Sequence, residues 1–479
     1  MSDQGLAVAQ GPVEGQVIDG FVVGPQLHQG GMATLWQTRR AQPAPDDDGL
    51  PLVMKVPRLL PDEDPAGIVG FEVEQMILPN LRGPHVPRHV AAGDFTQRPY
   101  IVMERIGGAS LRPRLQAAPL PIDEVIEIGS RVASALHDLH RQGLVHLDVK
   151  PSNIMFRPDG TAVLVDFGLS RHDLLPDLLD EQFEVPLGTG PYMSPEQVRH
   201  VRNDPRSDLF ALGVMLYHFT TGQRPFGLPD NLSALRRRLF DHAVPPRHWR
   251  ADCPPWLQEV ILQCLEVRPE DRIQTGAQLA LALQFPDQVV LTARAHRVGL
   301  DSPWRQLKRR LGGMRGDRSS DLHPGAVSQI RHSPIVMVAV DVDKAGPGLL
   351  EQLRETVQRI VITEPGARLA CVSVMRNGRI GMDERVDAEG RNRHVRQLVA
   401  LKHWARPLLG RLALDEARLT FHVLEAPDVA AALVDFAART RTDHLVLGAR
   451  GASPLRRYLG SVSSQVVAEA GCTVTVVRE

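Results

Sequence analysis

Residues 146–153, HLDVKPSN, and the DFG at residues 166–168 place four chemistry-bearing side chains in two short stretches. A carboxylate at Asp148 could accept or orient the proton of an attacking hydroxyl. Lys150, two residues on, could neutralise charge on a moving phosphoryl group. Asn153 and Asp166 offer hard oxygens of the kind magnesium prefers. Together these are the groups that phosphoryl transfer from ATP requires. A lone His-x-Asp in a loop usually caps or turns the chain; the whole HxDxKxxN pattern ahead of a DFG is far more specific.

Such groups need a scaffold. Residues 122–143 read as a helix, with Val125, Ile128, Val132, Leu136 and Leu139 as its apolar stripe and Gly143 as its C-terminal cap. VMKV at 53–56 reads as an apolar strand, in which the Lys55 ammonium needs a partner. Glu74 is the candidate, on a helix predicted over 67–81, in one row with Phe71, Leu78 and Leu81. The stretch 43–51 reads as a turn between two strands.

The 146–153 and 166–168 motifs resemble the catalytic and metal loops of eukaryotic-type protein kinases, in their serine/threonine form. Other segments follow that family's order, and their roles are what the resemblance implies. LHQGGMATLW at 27–36 resembles the glycine-rich loop over the ATP phosphates, with Gly30 as its middle glycine. Lys55 and Glu74 would form the pair that holds the α and β phosphates. YIVMERIGG at 100–108 resembles the hinge: Met103 the gatekeeper, the Glu104 carbonyl and Ile106 amide facing adenine, and Leu35, Val53 and Met155 around the ring. Thr189 would touch Asp148 and Lys150, Asp208 would brace the catalytic loop, and Arg272 would pair with Glu196. Asp148 and Lys150 would be catalytic, Asn153 and Asp166 the ligands of Mg2+, with Mn2+ an alternative.

The chain departs from the family in three places. His28 and Ala33 stand where two of the three loop glycines would be, and glycine is what lets backbone amides approach phosphate closely. Leu147 stands where many members have an arginine that binds an activation-segment phosphate. Residues 171–187 hold no Ser, Thr or Tyr and are acidic instead, with Asp173, Asp177, Asp180, Glu181 and Glu184. The last two departures together imply activity that does not depend on phosphorylating this segment, although a solvated variable loop would look the same. A pseudokinase scaffold, binding nucleotide and partners without catalysis, is the alternative; the intact Lys55, Asp148, Asn153 and Asp166 oppose it.

From residue 333 onward, apolar strands at 335–340, 369–374, 419–424, 444–448 and 473–477 alternate with helical stretches, which argues a parallel, doubly wound α/β domain. GARGASPLRRYLGS at 448–461 resembles the phosphate loop of the universal stress protein family, with Asp341 at the end of the first strand matching that family's start. The resemblance implies a second nucleotide near Asp341, Gly448, Gly451, Gly460 and Ser461. Nucleotide-binding members have nine residues between the two glycines; here Gly451 and Gly460 enclose eight. A domain that keeps the fold and binds no nucleotide is the equal alternative. The terminal strand at 473–477 should form a sheet edge, and the family commonly pairs there as a homodimer.

The expected architecture is therefore an α+β bilobal protein-kinase fold followed by an α/β parallel-sheet, Rossmann-like domain. Its expected divisions are a tail at 1–16, a kinase domain at 17–286, a basic linker at 287–332 and a stress-protein domain at 333–479. The linker's charges read as solvated rather than membrane-bound. The 479 residues carry a net charge of -1, with 5 Trp and 4 Tyr, so neither a global field nor stacking platforms favour nucleic acid. No signal peptide or spanning run is read, and the four scattered cysteines fit reduced thiols, so a cytoplasmic protein is expected; that it acts on protein Ser/Thr hydroxyls is what the kinase resemblance implies.

Overall fold

The computed structural model describes residues 11–42, 49–59, 64–299, 334–364, 366–377, 392–412, 418–449 and 460–478. The chain opens with strands β1 (Val17–Ile18), β2 (Phe21–Gln29), β3 (Ala33–Arg40) and β4 (Leu52–Pro57), then helix α1 (Pro65–Ile77), β5 (His89–Gly93) and β6 (Tyr100–Glu104). The strands form one antiparallel sheet in the order β1-β2-β3-β4-β6-β5. β6, an inner strand, is buried at every residue. Asp64 caps α1 by accepting from the Ala66 amide at 3.0 Å, and Pro65 suits the first helical position. The helix expected over 67–81 thus starts two residues earlier and tightens into a 3-10 turn at Leu78–Asn80.

The second lobe is helical. Helix α2 (Ile122–Arg141) buries Val125, Ile128, Val132, Leu136 and Leu139, the predicted stripe. Asp123 and Glu124 in its first turn and His140 and Arg141 in its last suit the helix dipole, and Gly143 follows at φ +77°. Short strands β7 (Leu144–Val145), β8 (Ile154–Phe156), β9 (Ala162–Leu164) and β10 (Arg171–His172) carry the loops between them. Next come α3 (Leu178–Gln182), α4 (Arg206–Thr221), α5 (Pro255–Cys264) and α6 (Gly276–Gln284). α4 is buried along nearly its whole length against α2 and α5. Residues 287–299, read from sequence as the start of the linker, fold back on α5: Thr292 Oγ1 and Arg294 Nε each donate to Glu259 at 2.8 Å, and Ala295 is buried.

The C-terminal domain alternates β11 (Ile335–Ala339), α7 (Pro347–Thr363), β12 (Arg368–Arg376), α8 (Arg393–Leu412), β13 (Leu419–Ala426), α9 (Val429–Thr440), β14 (His444–Ala449), α10 (Ser461–Glu469) and β15 (Thr473–Arg478). Its five strands are all parallel, in the order β13-β12-β11-β14-β15, with β15 at an edge. Leu353, Val357, Leu401 and Leu408 of α7 and α8 pack one face; Leu433, Phe436 and Val466 of α9 and α10 pack the other. Helices on both faces explain why these strands read as continuous apolar runs rather than alternating ones. The architecture is a bilobal protein-kinase fold followed by a Rossmann-like domain, and that domain rests against α1 and α3. Among the described residues, no helix is long and apolar enough to cross a membrane.

Candidate active site

Strand register builds the roof of the cleft. Leu35 faces Lys55 across β3 and β4, and Val53 faces Met103 across β4 and β6. Side chains two apart share a face, so Leu35, Val53, Lys55 and Met103 lie on the same side of the sheet. Ile106 is buried beyond the strand end and Met155 is half-buried on β8. The Glu104 side chain points elsewhere: it is clamped by Arg157, whose Nη2 donates at 3.0 Å, and accepts from the Arg88 amide at 3.2 Å. Burial would raise that carboxyl, but Arg157 and the amide bring it below the usual range. The β2–β3 turn is held by the Gly30 amide donating to the Ala33 carbonyl at 2.9 Å. A Cβ on Gly30 would sit 3.2 Å from that carbonyl, so the kept glycine is the sterically pinched one. His28 faces Leu35 in the ladder.

The floor is braced from beneath. Asp208 of α4, fully buried, accepts from the amides of His146 and Leu147 at 2.8 Å each and lies 2.9 Å from His140 Nε2. Leu147 and Asp166 adopt φ +61° and +69°, sparsely populated values for non-glycine residues; the Asp208 anchor sustains the first. The Leu147 side chain is buried, where an arginine would need a counter-charge. Around Asp148 the polar groups converge. Thr189 Oγ1 donates to its Oδ1 at 2.6 Å, Asn153 Nδ2 donates to its Oδ2 at 3.0 Å, and Lys150 Nζ stands 2.6 Å from Oδ2. Lys150 also donates to Thr189 Oγ1 at 2.9 Å. Farther out, Arg272 grips Glu196 with two bonds of 2.6 Å in a buried, bidentate pair.

Between roof and floor, Lys55 Nζ donates to Glu74 and, at 2.8 Å, to Asp166 Oδ1. Burial alone would lower the Lys55 pKa; Asp166 and Glu74 more than reverse this, so the ammonium persists above its usual range. The same attraction from Lys55 holds the Asp166 carboxyl down at about 2 against the burial effect. Asp166 keeps 47% of its side-chain surface exposed towards the cleft, so water screens part of that attraction. Glu74, 1% exposed, is pushed up by burial with Lys55 pulling back. α1 is seated closely: a Cβ on Gly70 would lie 2.9 Å from the Gly168 carbonyl, so helix and DFG touch backbone to backbone.

In segment 171–187, some acids have assigned tasks. Asp177 caps α3 through the Asp180 amide and takes Arg202 Nε at 2.9 Å. Glu181 meets Arg368 of β12 at 2.8 Å and Glu72 of α1 meets Lys402 of α8 at 2.6 Å. Sequence reasoning missed Glu72, Arg202, Arg368, Lys402 and Gly70; only the last left a signal, as a glycine inside a helical pattern.

In the C-terminal domain a cavity of 420 Å³ opens at the carboxyl ends of β11 and β14, lined by Asp341, Gly448, Gly460 and Ser461 together with Arg396 and Gln397 of α8. It sits where the strand order reverses, the usual ligand crevice of such sheets. Gly451, with Arg450 and Arg456, lies outside the described residues, as do most of the basic linker and part of the 43–51 turn.

Comparison with known proteins accords with these two halves. The family described as "Protein kinase domain" matches residues 55–285, and "Universal stress protein family" matches residues 334–478. Serine/threonine-protein kinase PknL of Mycobacterium bovis is 33% identical over 275 residues, 56% of this chain and 67% of the relative. Serine/threonine-protein kinase PknB of Mycolicibacterium smegmatis is 31% identical over 295 residues, 59% and 46% respectively. PknB of Mycobacterium leprae is 31% identical over 266 residues, 54% and 42%. The chain spans under half the length of both PknB relatives it matches. On this likeness, together with the fold, the chain belongs to the serine/threonine protein kinase family and carries a universal stress protein domain behind its kinase domain.

Proposed function

We propose that this chain transfers the γ-phosphoryl group of Mg-ATP to serine and threonine hydroxyls of proteins. The observation that carries the reading is the pair of bridged clusters: Lys55 between Glu74 and Asp166, and Asp148 ringed by Lys150, Asn153 and Thr189. Asp148 orients the acceptor hydroxyl and takes its proton, which requires the Thr189 hydroxyl to yield its place on Oδ1. Lys150 and Lys55 hold negative charge of the phosphates, and Leu35, Val53, Met103, Met155 and the backbone of Glu104 and Ile106 hold adenine under Gly30. Asn153 and Asp166 fit a divalent ion: both are hard oxygen donors, and the half-open Asp166 carboxylate faces the cleft. Among the described residues no cluster of three or more His, Cys, Asp or Glu could hold a metal unaided, and magnesium needs only one or two protein ligands when phosphates complete its shell. Bound there, Mg2+, or Mn2+ in its stead, would neutralise the charge that develops on the phosphates. The rate gain comes chiefly from positioning and electrostatics.

The test is transfer of label from radiolabelled ATP to a basic acceptor protein by wild type beside Asp148→Asn. Transfer by wild type that the variant lacks is expected; none by wild type with either metal would defeat the reading.

The same proposal takes residues 17–286 as the catalytic unit, with 287–299 packed onto it, 333–479 as the second domain and the cytoplasm as the location. It gives the 420 Å³ cavity to a second nucleotide, with its phosphates at Gly460 and Ser461 ahead of α10. The open edge of β15 supports pairing of two copies of the chain there. Light scattering at micromolar concentration checks this; a monomer would end the dimer proposal.

A further inference from the structure

The catalytic cleft includes α1: the helix that brings Glu74 to Lys55 sits backbone to backbone against Gly168. In this chain the outer side of α1 is not left to water. Glu72, two residues before Glu74 and so on the opposite face, meets Lys402 of α8 at 2.6 Å, and both side chains are largely buried. The Lys402 ammonium also lies 5.0 Å from the Phe95 ring centroid and 5.2 Å from that of Phe421, a cation between two aromatic faces. Beside it, Val395, Leu398 and Val423 of the C-terminal domain join the same apolar core as Phe71 and Phe95.

A second contact captures the segment 171–187. Its helix α3 wedges between α1 on one side and β13 and α9 on the other. Arg368 Nη1 pairs with Glu181 at 2.8 Å, Gln182 Nε2 donates to the Val423 carbonyl at 2.8 Å, and Arg439 Nη1 donates to the Glu181 carbonyl at 3.3 Å. His422, fully buried 3.3 Å from Glu181, is kept uncharged by burial and by Arg368, so Arg368 is the counter-charge. The familiar way to order such a segment, a phosphate on it gripped by arginine, has no place here. Residues 171–187 carry no hydroxyl group, and the neighbouring Ser170 is buried, donating to the His146 carbonyl at 3.0 Å.

We propose that the C-terminal domain is a built-in activating clamp: through Lys402–Glu72 and Arg368–Glu181 it holds α1 and α3 in the catalytic arrangement, doing for this chain what activation-segment phosphorylation does elsewhere. Glu72, Glu181, Arg368 and Lys402 are then positioning residues, acting through Glu74 and Lys55 and not on substrate. The inference rests on the kinase reading above. It makes the second domain a switch as well as an attachment, since whatever loosens its docked face lowers transfer.

The experiment uses full-length chains: wild type, Arg368→Glu, Glu181→Arg, the double swap Arg368→Glu/Glu181→Arg, and Lys402→Ala. Two readouts run together, initial rate of phosphoryl transfer to a basic acceptor protein and hydrogen exchange of residues 65–77 and 178–182. Each single reversal should reduce the rate about 5- to 150-fold, the usual range of coupling between sites, and should speed exchange in both segments. The swap should recover most of both, which no general misfolding would do. Lys402→Ala, at the far end of the face, should act in the same direction even if a buried reversal disrupts β12. Faster exchange in both segments with an undiminished rate would overturn the clamp and leave the kinase reading intact, as would fast exchange there in an active wild type. A wild type that transfers no phosphate overturns the kinase reading, and the clamp with it.

Discussion

Helix α1 serves two regions of the molecule with two glutamates. On its inner face Glu74 meets Lys55, which also holds Asp166; on its outer face Glu72 meets Lys402 and the C-terminal domain. Both carboxylates are buried and both have a lysine partner, yet they differ in kind. The inner pair lies inside one lobe and closes the cleft proposed above for nucleotide and metal. The outer pair joins two domains and touches nothing that reacts. A single helix thus links the chemistry to a domain that carries a candidate pocket of its own.

The largest expected effect isolates the inner face. Lys55→Met or Asp166→Asn removes a charge from the bridged cluster, and transfer should fall by about a hundredfold or more, the scale seen when a preorganised electrostatic group is lost. Single-turnover rates at saturating Mg-ATP measure it. Substantial residual transfer by Lys55→Met would mean that Lys55 is not the phosphate clamp. Next comes the seam between helix and DFG. Gly70→Ala puts a Cβ 2.9 Å from the Gly168 carbonyl, a contact that only a shift of α1 relieves. Overpacking of this sort costs about 1–3 kcal/mol, so a lower thermal midpoint and about a tenfold loss of rate are expected. An unchanged rate would show that α1 can shift without consequence, and the comparison would lose its middle term.

Smaller still is the outer face by itself. Glu72→Gln keeps the shape and removes the charge, while Lys402 retains Phe95, Phe421 and a distant Asp94 at 3.8 Å. A few-fold loss of rate is expected, below that of Arg368→Glu, with KM for ATP rising more than kcat falls. An effect as large as that of Lys55→Met would contradict the distinction between the two faces.

The contacts of the inner region were largely legible in the sequence. The resemblance of short motifs implied that Lys55 meets Glu74 and that Thr189 meets Asp148 and Lys150, contacts the structure holds, and the stripe of α2 repeats with the helical period. The five apolar strands of the second domain were legible because a sheet covered on both faces needs continuous runs. The outer region was not. Lys402 and Glu72 are separated by most of the chain, and an interface charge in a helix looks like a solvated one until its partner is known. The acids of 171–187 illustrate this: a solvated loop was one reading of them, while Asp177 caps α3 and binds Arg202, and Glu181 binds Arg368. The first residues of the expected linker also proved to be packed, since Thr292 and Arg294 gave no sign in sequence of their shared partner Glu259.

The smallest expected effect is none at all. If docking of the second domain orders α3, then removing every phosphate from the protein should leave the initial rate of the proposed transfer unchanged. The geometry argues this on each neighbouring hydroxyl. Ser170 is buried on the His146 carbonyl. Thr189 is spent between Lys150 and Asp148. Ser194 is fully buried in the capping box of the helix Pro195–Val198 and donates to Ser207 at 3.0 Å. A phosphate on any of these would have to expel the bonds just named, and Leu147 offers it no cation. Phosphatase-treated and untreated protein should therefore start at the same rate, with autophosphorylation mapped outside 170–194 and the linker residues Ser319, Ser320 and Ser328 as acceptors. A large loss of rate after treatment, restored together with a phosphate on Ser170, Thr189 or Ser194, would mean that segment 171–187 is ordered by modification. The contact between Glu181 and Arg368 would then be packing alone.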